Sequence, residues 1–479
     1  MAPIPTFVDY VIAHGKTRGH QPAILLADRV ITYAMLAEAT LTAEAKIADL
    51  KLPPGSIIGI CVSSPIRHFA LLSAIIRGGH TGISVYKVGD IAALGVSAAC
   101  VLTEKLDFLL ASRQVVADDG WFASTNRLAK ATSRPREEND VLRIEFSSGT
   151  TGRPKALDMT AHLMASRNSE RLYLHSLFPW SRASSLMDVQ SGWGLRNVAA
   201  VLSAGRSVLL HTSHVDALKI GVVYHVDCLM GSVGQLTGLV EIQKADPVPN
   251  LGLKAVITAG SVIGQRQIED ICMFLSPNVI SFYVSTEAGL IAFAEGHELL
   301  RNPRSAGPLV PWVDVRIEDE AGALQPLGVS GVLKVRPFYG FAKPHGGKSP
   351  DLESAENDWF TPGDLAILHE GDMLEIVGRI DELINIGGVK RAPEIIDAAI
   401  KRHPAILDCA AFLLPMKDGG VCLAAAIMTG QRVDLIDLLN WCAAQEIGVR
   451  QLFNVSELPR TTTGKIKRHE LAQRFSEAQ

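Results

Sequence analysis

The sequence lacks paired cysteines. Its seven cysteines are scattered singly, and none of them forms a Cys-x-x-Cys pair. An odd number of cysteines without short spacings argues against a disulfide framework and against a cysteine-rich zinc site, and it favours a reducing compartment. We therefore expect a cytoplasmic protein.

Long apolar runs and an excess of one charge are also missing. The first residues contain no apolar core of a signal peptide, and no run is long enough to span a bilayer. The net charge is only −4 at pH 7 and the isoelectric point is near 6.4. A nearly balanced charge gives no reason to expect nucleic acid or an acidic membrane surface as a partner. We therefore expect no nucleic-acid binding and no membrane insertion.

The length predicts more than one domain. A chain of 479 residues with 47% hydrophobic residues is too long for a single hydrophobic core. Strands are predicted at 56–62, 207–210, 255–258 and 279–283, with helical patterns between them such as 66–78. Short apolar runs that alternate with helices predict an α/β fold with mostly parallel sheets.

The pattern changes from about Trp312 onwards. Residues 313–318, 331–336 and 374–377 alternate apolar and polar side chains, which is typical of half-buried antiparallel strands. We expect a small antiparallel, barrel-like subdomain here. A last α/β segment follows from about Asp381.

A loop rich in glycine and hydroxyl groups, FSSGTTGRPKA, occupies residues 146–156 after a predicted strand. Its glycines allow close approach of the backbone, and successive N–H groups with Ser and Thr hydroxyls can surround phosphate oxygens. Arg153 and Lys155 add positive charge. The loop differs from the P-loop pattern because Lys155 follows a proline and no Ser or Thr comes after it. A plain surface turn has a similar composition, so the loop alone leaves both interpretations open.

Further motifs follow in order: Tyr283-Val-Ser-Thr-Glu, Trp359-Phe-Thr-Pro-Gly-Asp, Gly378-Arg-Ile-Asp-Glu-Leu-Ile and Leu458-Pro-Arg-Thr-Thr-Thr-Gly-Lys-Ile-Lys-Arg. With the glycine-rich loop, this set resembles the adenylate-forming superfamily of acyl-CoA synthetases, peptide-synthetase adenylation domains and firefly luciferase. The motifs span most of the chain and are highly specific together. The chain looks most like a stand-alone acyl- or aryl-CoA ligase.

The resemblance implies a reaction with two halves. A carboxylate attacks the α-phosphate of ATP, which gives an acyl-adenylate and pyrophosphate. The thiol of CoA then attacks the acyl carbon and AMP leaves. The resemblance implies ATP, Mg²⁺ and CoA as cofactors, and a small-molecule carboxylic acid as the other substrate. It also implies a large N-terminal domain, 1–380, with the ATP and acyl sites, and a small mobile α+β C-terminal domain, 381–479.

The resemblance also implies roles for individual residues around ATP. The β- and γ-phosphates would be held by Ser147, Ser148, Gly149, Thr150, Thr151, Gly152 and Lys155. Adenine and ribose would be bound by Gly260, Ser261, Tyr283, Asp364 and Arg379. The catalytic groups would be Thr286 on the α-phosphate, Glu287 on Mg²⁺, and Lys465 between the substrate carboxylate and the α-phosphate.

Other roles concern the acyl group and the second half-reaction. Asp381 matches the hinge, and Gly387 and Gly388 would face the thiol. Candidate residues of the acyl pocket are Gln190, Trp193, Ala259 and Val284. Trp193 either closes the pocket to a long chain, which favours a short or aromatic acid, or packs in the core. Arg196 is the candidate cation that would bind a second carboxylate of the substrate. A dicarboxylic acid is possible as the substrate but is not favoured.

The sequence departs from the family pattern at a few positions. Ala156 replaces a glycine, Val284 replaces the glycine after Tyr283, Pro362 replaces a threonine, and Ile395 stands where a glutamate is expected. The change at Ala156 is mild, and those at Val284, Pro362 and Ile395 would support an alternative, a non-catalytic nucleotide-binding homologue. In another alternative the acyl group passes to an amine or to an acyl-carrier protein acting in trans.

Overall fold

Two sheets built mainly from parallel strands form the larger part of the molecule in the computed structural model. The structure describes residues 3–107, 112–147, 155–178, 180–210, 214–347, 359–380, 382–386, 389–416, 421–460 and 466–476. An antiparallel sheet and a small C-terminal unit follow the two parallel sheets. This mixed α/β architecture confirms the fold class that the sequence predicted.

The described strands are β1 (Pro22–Leu25), β2 (Val30–Thr32), β3 (Ile57–Cys61), β4 (Thr81–Ser84), β5 (Cys100–Thr103), β6 (Gln114–Val116), β7 (Val141–Ser147), β8 (Lys155–Thr160), β9 (Arg182–Ser185), β10 (Ser207–Leu210), β11 (Cys228–Ser232), β12 (Ala255–Ala259), β13 (Val279–Ser285), β14 (Gly289–Glu295), β15 (Ser305–Pro308), β16 (Val313–Glu318), β17 (Ser330–Pro337), β18 (Lys343–Pro344), β19 (Asp364–Leu368), β20 (Met373–Arg379), β21 (Ile384–Ile386), β22 (Val389–Arg391), β23 (Ile406–Pro415), β24 (Val421–Thr429) and β25 (Gln451–Asn454).

The described α-helices are α1 (Phe7–Thr17), α2 (Tyr33–Asp49), α3 (Pro65–Arg77), α4 (Asp90–Ala93), α5 (Ala161–Leu177), α6 (Gly192–Ser203), α7 (His214–Val223), α8 (Val233–Ala245), α9 (Gln265–Phe274), α10 (Gly296–Arg301), α11 (Pro393–Ile400), α12 (Leu435–Ala444) and α13 (Arg468–Ser476).

The first sheet has the order β18-β8-β7-β4-β3-β5-β6, and the second has the order β14-β13-β12-β11-β9-β10-β1-β2. Their central strands are parallel, and antiparallel strands close the β18 edge of the first sheet and both edges of the second. Every residue of β11 and β12 is buried. Such continuous apolar strands form where both faces of a parallel sheet are covered. The strands predicted at 56–62, 207–210, 255–258 and 279–283 all belong to these sheets, and the helix predicted at 66–78 is α3.

The third sheet is antiparallel throughout and has the order β15-β20-β19-β17-β16. It contains the three strands predicted after Trp312, so the change in the sequence pattern does mark a change of architecture. β19 and β20 pair Asp364 directly with Arg379. This register brings together two side chains that the motifs place in the ribose site.

The C-terminal unit has a sheet of its own, β23-β24-β25. Helices α11 and α13 pack against β23. Its buried apolar residues form two clusters, one around Ile396 and Ile427 and the other around Phe412 and Leu471, and both consist only of residues after position 383. The described part of this segment therefore carries its own core.

Among the helices that the described residues form, none combines the length and the apolar character needed to cross a lipid bilayer.

Gly307 in β15 is a position where substitution should strongly destabilise the fold. Its φ is +82°, and a Cβ atom there would lie 1.9 Å from the carbonyl oxygen of Phe293. A Gly307→Ala variant combines the strain of a positive φ, about 1–2 kcal/mol, with a clash that adds about 1–3 kcal/mol. We expect a clear drop in the midpoint of thermal unfolding.

Gly322 is the matched control, because its φ is also +82° and a Cβ atom there would have no other atom within 4 Å. Gly322→Ala should show only the cost of the backbone conformation. Equal losses in the two variants would contradict the packing argument for Gly307.

Candidate active site

One cavity, with a volume of about 2410 Å³, brings together the predicted site residues whose side chains the structure describes. Its wall includes Lys155, Gln190, Trp193, Ala259, Gly260, Ser261, Tyr283, Val284, Thr286, Glu287, Asp364 and Arg379. Ala259 ends β12 and Tyr283 lies near the end of β13, a parallel neighbour. The carboxyl ends of adjacent parallel strands meet at one edge of a sheet, where α/β proteins commonly bind ligands.

A hydrogen-bonded group of Tyr283, Asp364 and Arg379 lies on this wall. The Tyr283 hydroxyl donates to Asp364 Oδ2 at 2.5 Å, and Arg379 Nη1 donates to Asp364 Oδ1 at 3.1 Å. Burial, and then the Asp364 carboxylate, raise the pKa of Tyr283 well above its ordinary value. Tyr283 therefore stays a neutral donor, and Asp364 retains acceptor sites for further hydroxyl groups.

The proline at 362 takes part in this arrangement. Arg379 Nη1 also donates to the carbonyl oxygen of Pro362 at 2.9 Å. The residue that departs from the family motif thus helps to hold the guanidinium beside Asp364.

Arg167 fixes the backbone of the Thr286-Glu287 segment. This buried side chain on α5 donates to the carbonyl oxygen of Thr286 at 2.9 Å and to that of Glu287 at 2.5 Å. The amide of Ala342 also donates to the Glu287 carbonyl, at 2.9 Å. Sequence reasoning missed Arg167, since a polar residue on a helix gives no signal of a contact over 119 positions.

The donor set around the cavity fits Mg²⁺ bound together with a nucleotide. The described residues contain no cluster of three or more His, Cys, Asp or Glu side chains that could hold a metal by themselves. Glu287 lines the cavity, and its carboxylate forms no ion pair with another described residue. Mg²⁺ is usually held by one or two carboxylates together with phosphate oxygens. Glu287 and Lys155 place a carboxylate and a cation on the wall of one cavity, which fits the predicted Mg²⁺ and phosphate sites.

Helix α6 positions the residues of the predicted acyl pocket. Ser191 caps the helix by accepting a hydrogen bond from the amide of Gly194 at 3.0 Å. Trp193 is 8% exposed, and it both packs into the main core and lines the cavity. The two alternatives for Trp193 are therefore compatible. Gln190, just before the helix, donates to the carbonyl oxygen of Val62 at 3.2 Å.

Two buried charges on β7 are an unexpected part of the same wall. Arg143 and Glu145 have side chains that are only 2% and 3% exposed. Glu145 Oε2 lies 2.6 Å from Nη1 of Arg196, and Glu145 Oε1 lies 3.5 Å from Nη1 of Arg143. Burial opposes the charge of Glu145, but Arg196 and then Arg143 bring the pKa of its carboxyl below the ordinary value. The two arginines therefore favour the ionised form of the buried Glu145 carboxyl.

Gly192 makes room for this group. A Cβ atom at Gly192 would lie 2.3 Å from Glu145 Oε2. The start of α6 can approach the carboxylate this closely only because the residue has no side chain.

Several predicted residues lie outside the described part of the chain: Ser148, Gly149, Thr150, Thr151, Gly152, Asp381, Gly387, Gly388 and Lys465, as well as the side chain of Ser147. The residues next to three of these segments line the cavity, namely Phe146 and Lys155, Ile380 and Glu382, and Arg460 and Ile466. The roles of the undescribed residues stay predictions.

Arg468 connects the parts of the C-terminal unit that border the cavity. Its guanidinium lies 3.3 Å from Glu382, 3.2 Å from Glu394 and 2.7 Å from Asp397. It also donates to the carbonyl oxygen of Ala411 at 2.8 Å. Ile395, which replaces the expected glutamate, lines the cavity beside this cluster. The neighbouring Glu394 supplies a carboxylate to Arg468.

Comparison with known proteins identifies the class. The AMP-binding enzyme family model matches residues 13–338. The chain belongs to the AMP-binding enzyme family, so the resemblance drawn from the motifs is confirmed, and the protein is a member of a family of enzymes.

Individual relatives agree with this class. The chain is 30% identical over 362 residues to a probable 2-succinylbenzoate–CoA ligase of Mycobacterium tuberculosis, which covers 71% of this chain and 86% of the relative. The fold of this chain is similar to that of ATP-bound MatB from Rhodopseudomonas palustris. The TM-score is 0.82 and the identity is 19%, and the match covers 99% of this chain and 100% of the other. The fold is also similar to that of the amide bond synthetase McbA from Marinactinospora thermotolerans, with a TM-score of 0.78, 18% identity, and coverage of 98% and 99%.

Proposed function

We propose that the protein is an ATP-dependent carboxylic acid–CoA ligase that forms an acyl-adenylate and then a thioester. The observation that carries this proposal is the single cavity that collects the described residues of the motifs. The Tyr283-Asp364-Arg379 group, the Thr286-Glu287 segment and Lys155 all line it. The CoA-ligase name of the Mycobacterium tuberculosis relative supports CoA as the acceptor.

The first half-reaction brings a carboxylate against the α-phosphate of ATP, so two anions must be brought together. Lys155 faces the cavity as a cation for the phosphates, and Thr286 offers a hydroxyl to the α-phosphate. Preorganised donors of this kind stabilise the charge that develops in the transition state. Mg²⁺, held by Glu287, would neutralise phosphate charge. The oxygen of the acid forms a bond to the α-phosphorus, and pyrophosphate leaves.

Binding of the nucleoside is assigned to the Tyr283-Asp364-Arg379 group. Asp364 is an acceptor for the vicinal ribose hydroxyls, since an ionised carboxylate has several lone pairs and only two are used by Tyr283 and Arg379. Tyr283 lies beside the space assigned to adenine together with Gly260 and Ser261.

The second half-reaction is assigned to a rearranged C-terminal unit. We propose that residues 381–479 turn about Asp381, first to present Lys465 for adenylation and then to present Gly387 and Gly388 to the thiol. The separate core of this unit supports a movement as one body. The CoA sulfur then bonds to the acyl carbon, and AMP leaves.

The proposal is tested by release of pyrophosphate from Mg-ATP, screened over short aliphatic, long aliphatic and aromatic acids with and without CoA. We expect release that depends on the acid, and an acyl-CoA product when CoA is present. Release without any thioester would leave adenylation intact and refute CoA as the acceptor, in favour of an amine or a carrier protein. ATP binding without release for any acid would refute the enzyme proposal.

A Tyr283→Phe variant tests the nucleoside assignment. Losing the hydrogen bond to Asp364 should raise the KM for ATP about 10- to 100-fold, because hydrogen bonds to charged groups contribute about 1.5–3 kcal/mol. The KM for the acid should change little. Steady-state kinetics with each substrate varied in turn give both values.

Tyr224→Phe is the matched control, since the Tyr224 hydroxyl donates to the carbonyl oxygen of Leu26 at 2.9 Å and Tyr224 does not line the cavity. It should leave the KM for ATP unchanged. A Tyr283→Phe enzyme with the same KM as Tyr224→Phe would show that Tyr283 has no part in nucleotide binding.

A further inference from the structure

The cavity wall beside the predicted acyl-pocket residues Gln190 and Trp193 carries a positively charged side chain, Arg196. An ordinary fatty or aromatic acid has no second charge to pair with it. Two arginines, Arg143 and Arg196, face one carboxylate, Glu145, and all three line the cavity. Asp188, whose carboxylate also favours the charged form of Arg143, is exposed and does not line the cavity. Arg143 and Glu145 are buried and Arg196 is 14% exposed, so two cations face one anion on the wall of the cavity.

Unsatisfied donors accompany this charge. Nε of Arg143 is buried and has no hydrogen-bond partner among the described residues. Arg143 uses its Nη2 for Ser84 Oγ at 3.2 Å and for the carbonyl oxygen of Gln190 at 2.5 Å. A buried donor without a partner is unfavourable, so the neighbours of Arg143 compensate its guanidinium only in part.

Arg196 is the member of the group that is open to the cavity. Its side chain is 14% exposed, and only its Nη1 is bonded, to Glu145. Its other N–H groups form no hydrogen bond with any described residue, and none of them is sealed from solvent. Trp193 lies one turn earlier on the same face of α6. The guanidinium is thus held in place on one side and free to donate on the other.

We propose that Arg196, fixed by Glu145 and backed by Arg143, binds a second carboxylate of the substrate, so that the acid activated by this enzyme is a dicarboxylic acid. This inference rests on the proposed function and adds the class of its substrate. One carboxylate is adenylated, and the other accepts hydrogen bonds from Arg196, whose planar guanidinium suits a carboxylate.

The role of Glu145 follows from the same geometry. Without a counter-charge, three neighbouring arginines, Arg143, Arg167 and Arg196, would repel one another in a buried region. Glu145 and the nearby Glu170 offset part of that charge, and Glu145 orients Arg196. A second carboxylate of the acid pairs with the charge of Arg196, whereas a monocarboxylate with an apolar end leaves that charge unpaired at a cost.

The experiment compares each dicarboxylate with its monoamide, which has almost the same shape but no second charge. The pairs are succinate and succinamate, glutarate and glutaramate, and terephthalate and 4-carbamoylbenzoate. The readout is kcat/KM for pyrophosphate release. For the pair that fits the cavity, we expect the dicarboxylate to be preferred by about 10- to 100-fold, the range for one hydrogen bond to a charged group.

Variants then assign the preference to Arg196. Arg196→Met removes the cation at similar length and should abolish the preference, so that the monoamide is used as well as the dicarboxylate. Arg196→Lys, which retains the charge, should keep part of it. The control is Arg134→Met, because Arg134 lies at the surface in an ion pair with Glu44 and does not line the cavity. This control should behave as the unmodified enzyme does.

The outcomes separate this inference from the proposed function. A preference for dicarboxylates that Arg196→Met removes and Arg134→Met retains supports the inference. Equal or better use of monoamides and simple monocarboxylates by the unmodified enzyme overturns it and leaves the adenylating function intact, and this result does not depend on whether a variant folds. No release with any acid overturns both.

Discussion

A Lys465→Ala variant is expected to lose about 10²- to 10³-fold in acid-dependent pyrophosphate release, the effect of removing one preorganised donor from a transition state. The same variant should still form the thioester from supplied acyl-adenylate and CoA, because Lys465 is assigned to adenylation alone. Arg460 and Ile466, on either side of the segment that carries Lys465, form a β-bridge and line the cavity. The described residues on both sides of Lys465 therefore lie at the candidate site. The two half-reactions are measured separately on one preparation.

Lys219→Ala is the control for this prediction. Lys219 forms an ion pair with Asp246 at 3.1 Å and does not line the cavity. Its loss should change either half-reaction by no more than a few-fold. Equal loss of both half-reactions in Lys465→Ala would contradict the two-state arrangement of the C-terminal unit.

An Arg468→Met variant is expected to destabilise the C-terminal unit by about 3–5 kcal/mol, the usual cost of removing one partner from a buried ion pair. Arg468 is 13% exposed and Asp397 is 8% exposed. Burial opposes the charge of Arg468, but the carboxylates of Asp397 and Glu394 raise the pKa of its guanidinium. Burial also opposes the charge of Asp397 and raises the pKa of its carboxyl, although Arg468 acts in the opposite direction. Without Arg468, the buried carboxylate of Asp397 and the half-buried carboxylate of Glu394 lose their counter-charge.

Hydrogen exchange gives the local readout for this prediction. Amides of β23 and β24 should exchange about 10²- to 10³-fold faster in Arg468→Met, while those of β3 and β4 in the first sheet should not change. Arg474→Met, on the same helix at an exposed position, is the control and should have almost no effect. Similar exchange in the two variants would refute the structural role of Arg468.

Much of the site was predictable, because its motif residues lie at the ends of strands or on short loops next to them. Apolar runs at 255–258 and 279–283 identified β12 and β13, and the polar residues that follow them reach the cavity. The motifs that contain Asp364 and Arg379 were assigned to the same sugar, and the structure pairs the two residues across β19 and β20.

The buried charges of Arg143 and Glu145 on the cavity wall were not predictable from the pattern. In Val141-Leu-Arg-Ile-Glu-Phe the charges alternate with apolar residues, which normally indicates a strand with one face in water. Here α6 covers that face, and Arg143 and Glu145 are buried against each other and Arg196. Tertiary packing decides whether one face of an alternating strand is exposed to solvent. The sequence of the strand alone does not predict which element packs on that face.

Contacts between residues far apart in the sequence were also not predictable. Tyr283 and Asp364 are 81 positions apart, and Arg167 is 119 positions from the carbonyl that it holds. The sequence shows Tyr283, Asp364 and Arg167 as polar residues. Their hydrogen bonds form only when the sheets pack together in the folded protein. For the same reason the sequence alone could not assign Trp193 to the core or to the pocket. In the structure Trp193 packs in the core and also lines the cavity.

The most direct test of adenylation is the exchange of labelled pyrophosphate into ATP in the presence of Mg²⁺ and a carboxylic acid, with no thiol present. If the cavity joins a carboxylate to the α-phosphate, label enters ATP only when a suitable acid is present, and Lys465→Ala abolishes the exchange. If ATP binds but no label enters it with mono- or dicarboxylic acids, the protein binds nucleotide without activating an acid, and the ligase proposal is wrong.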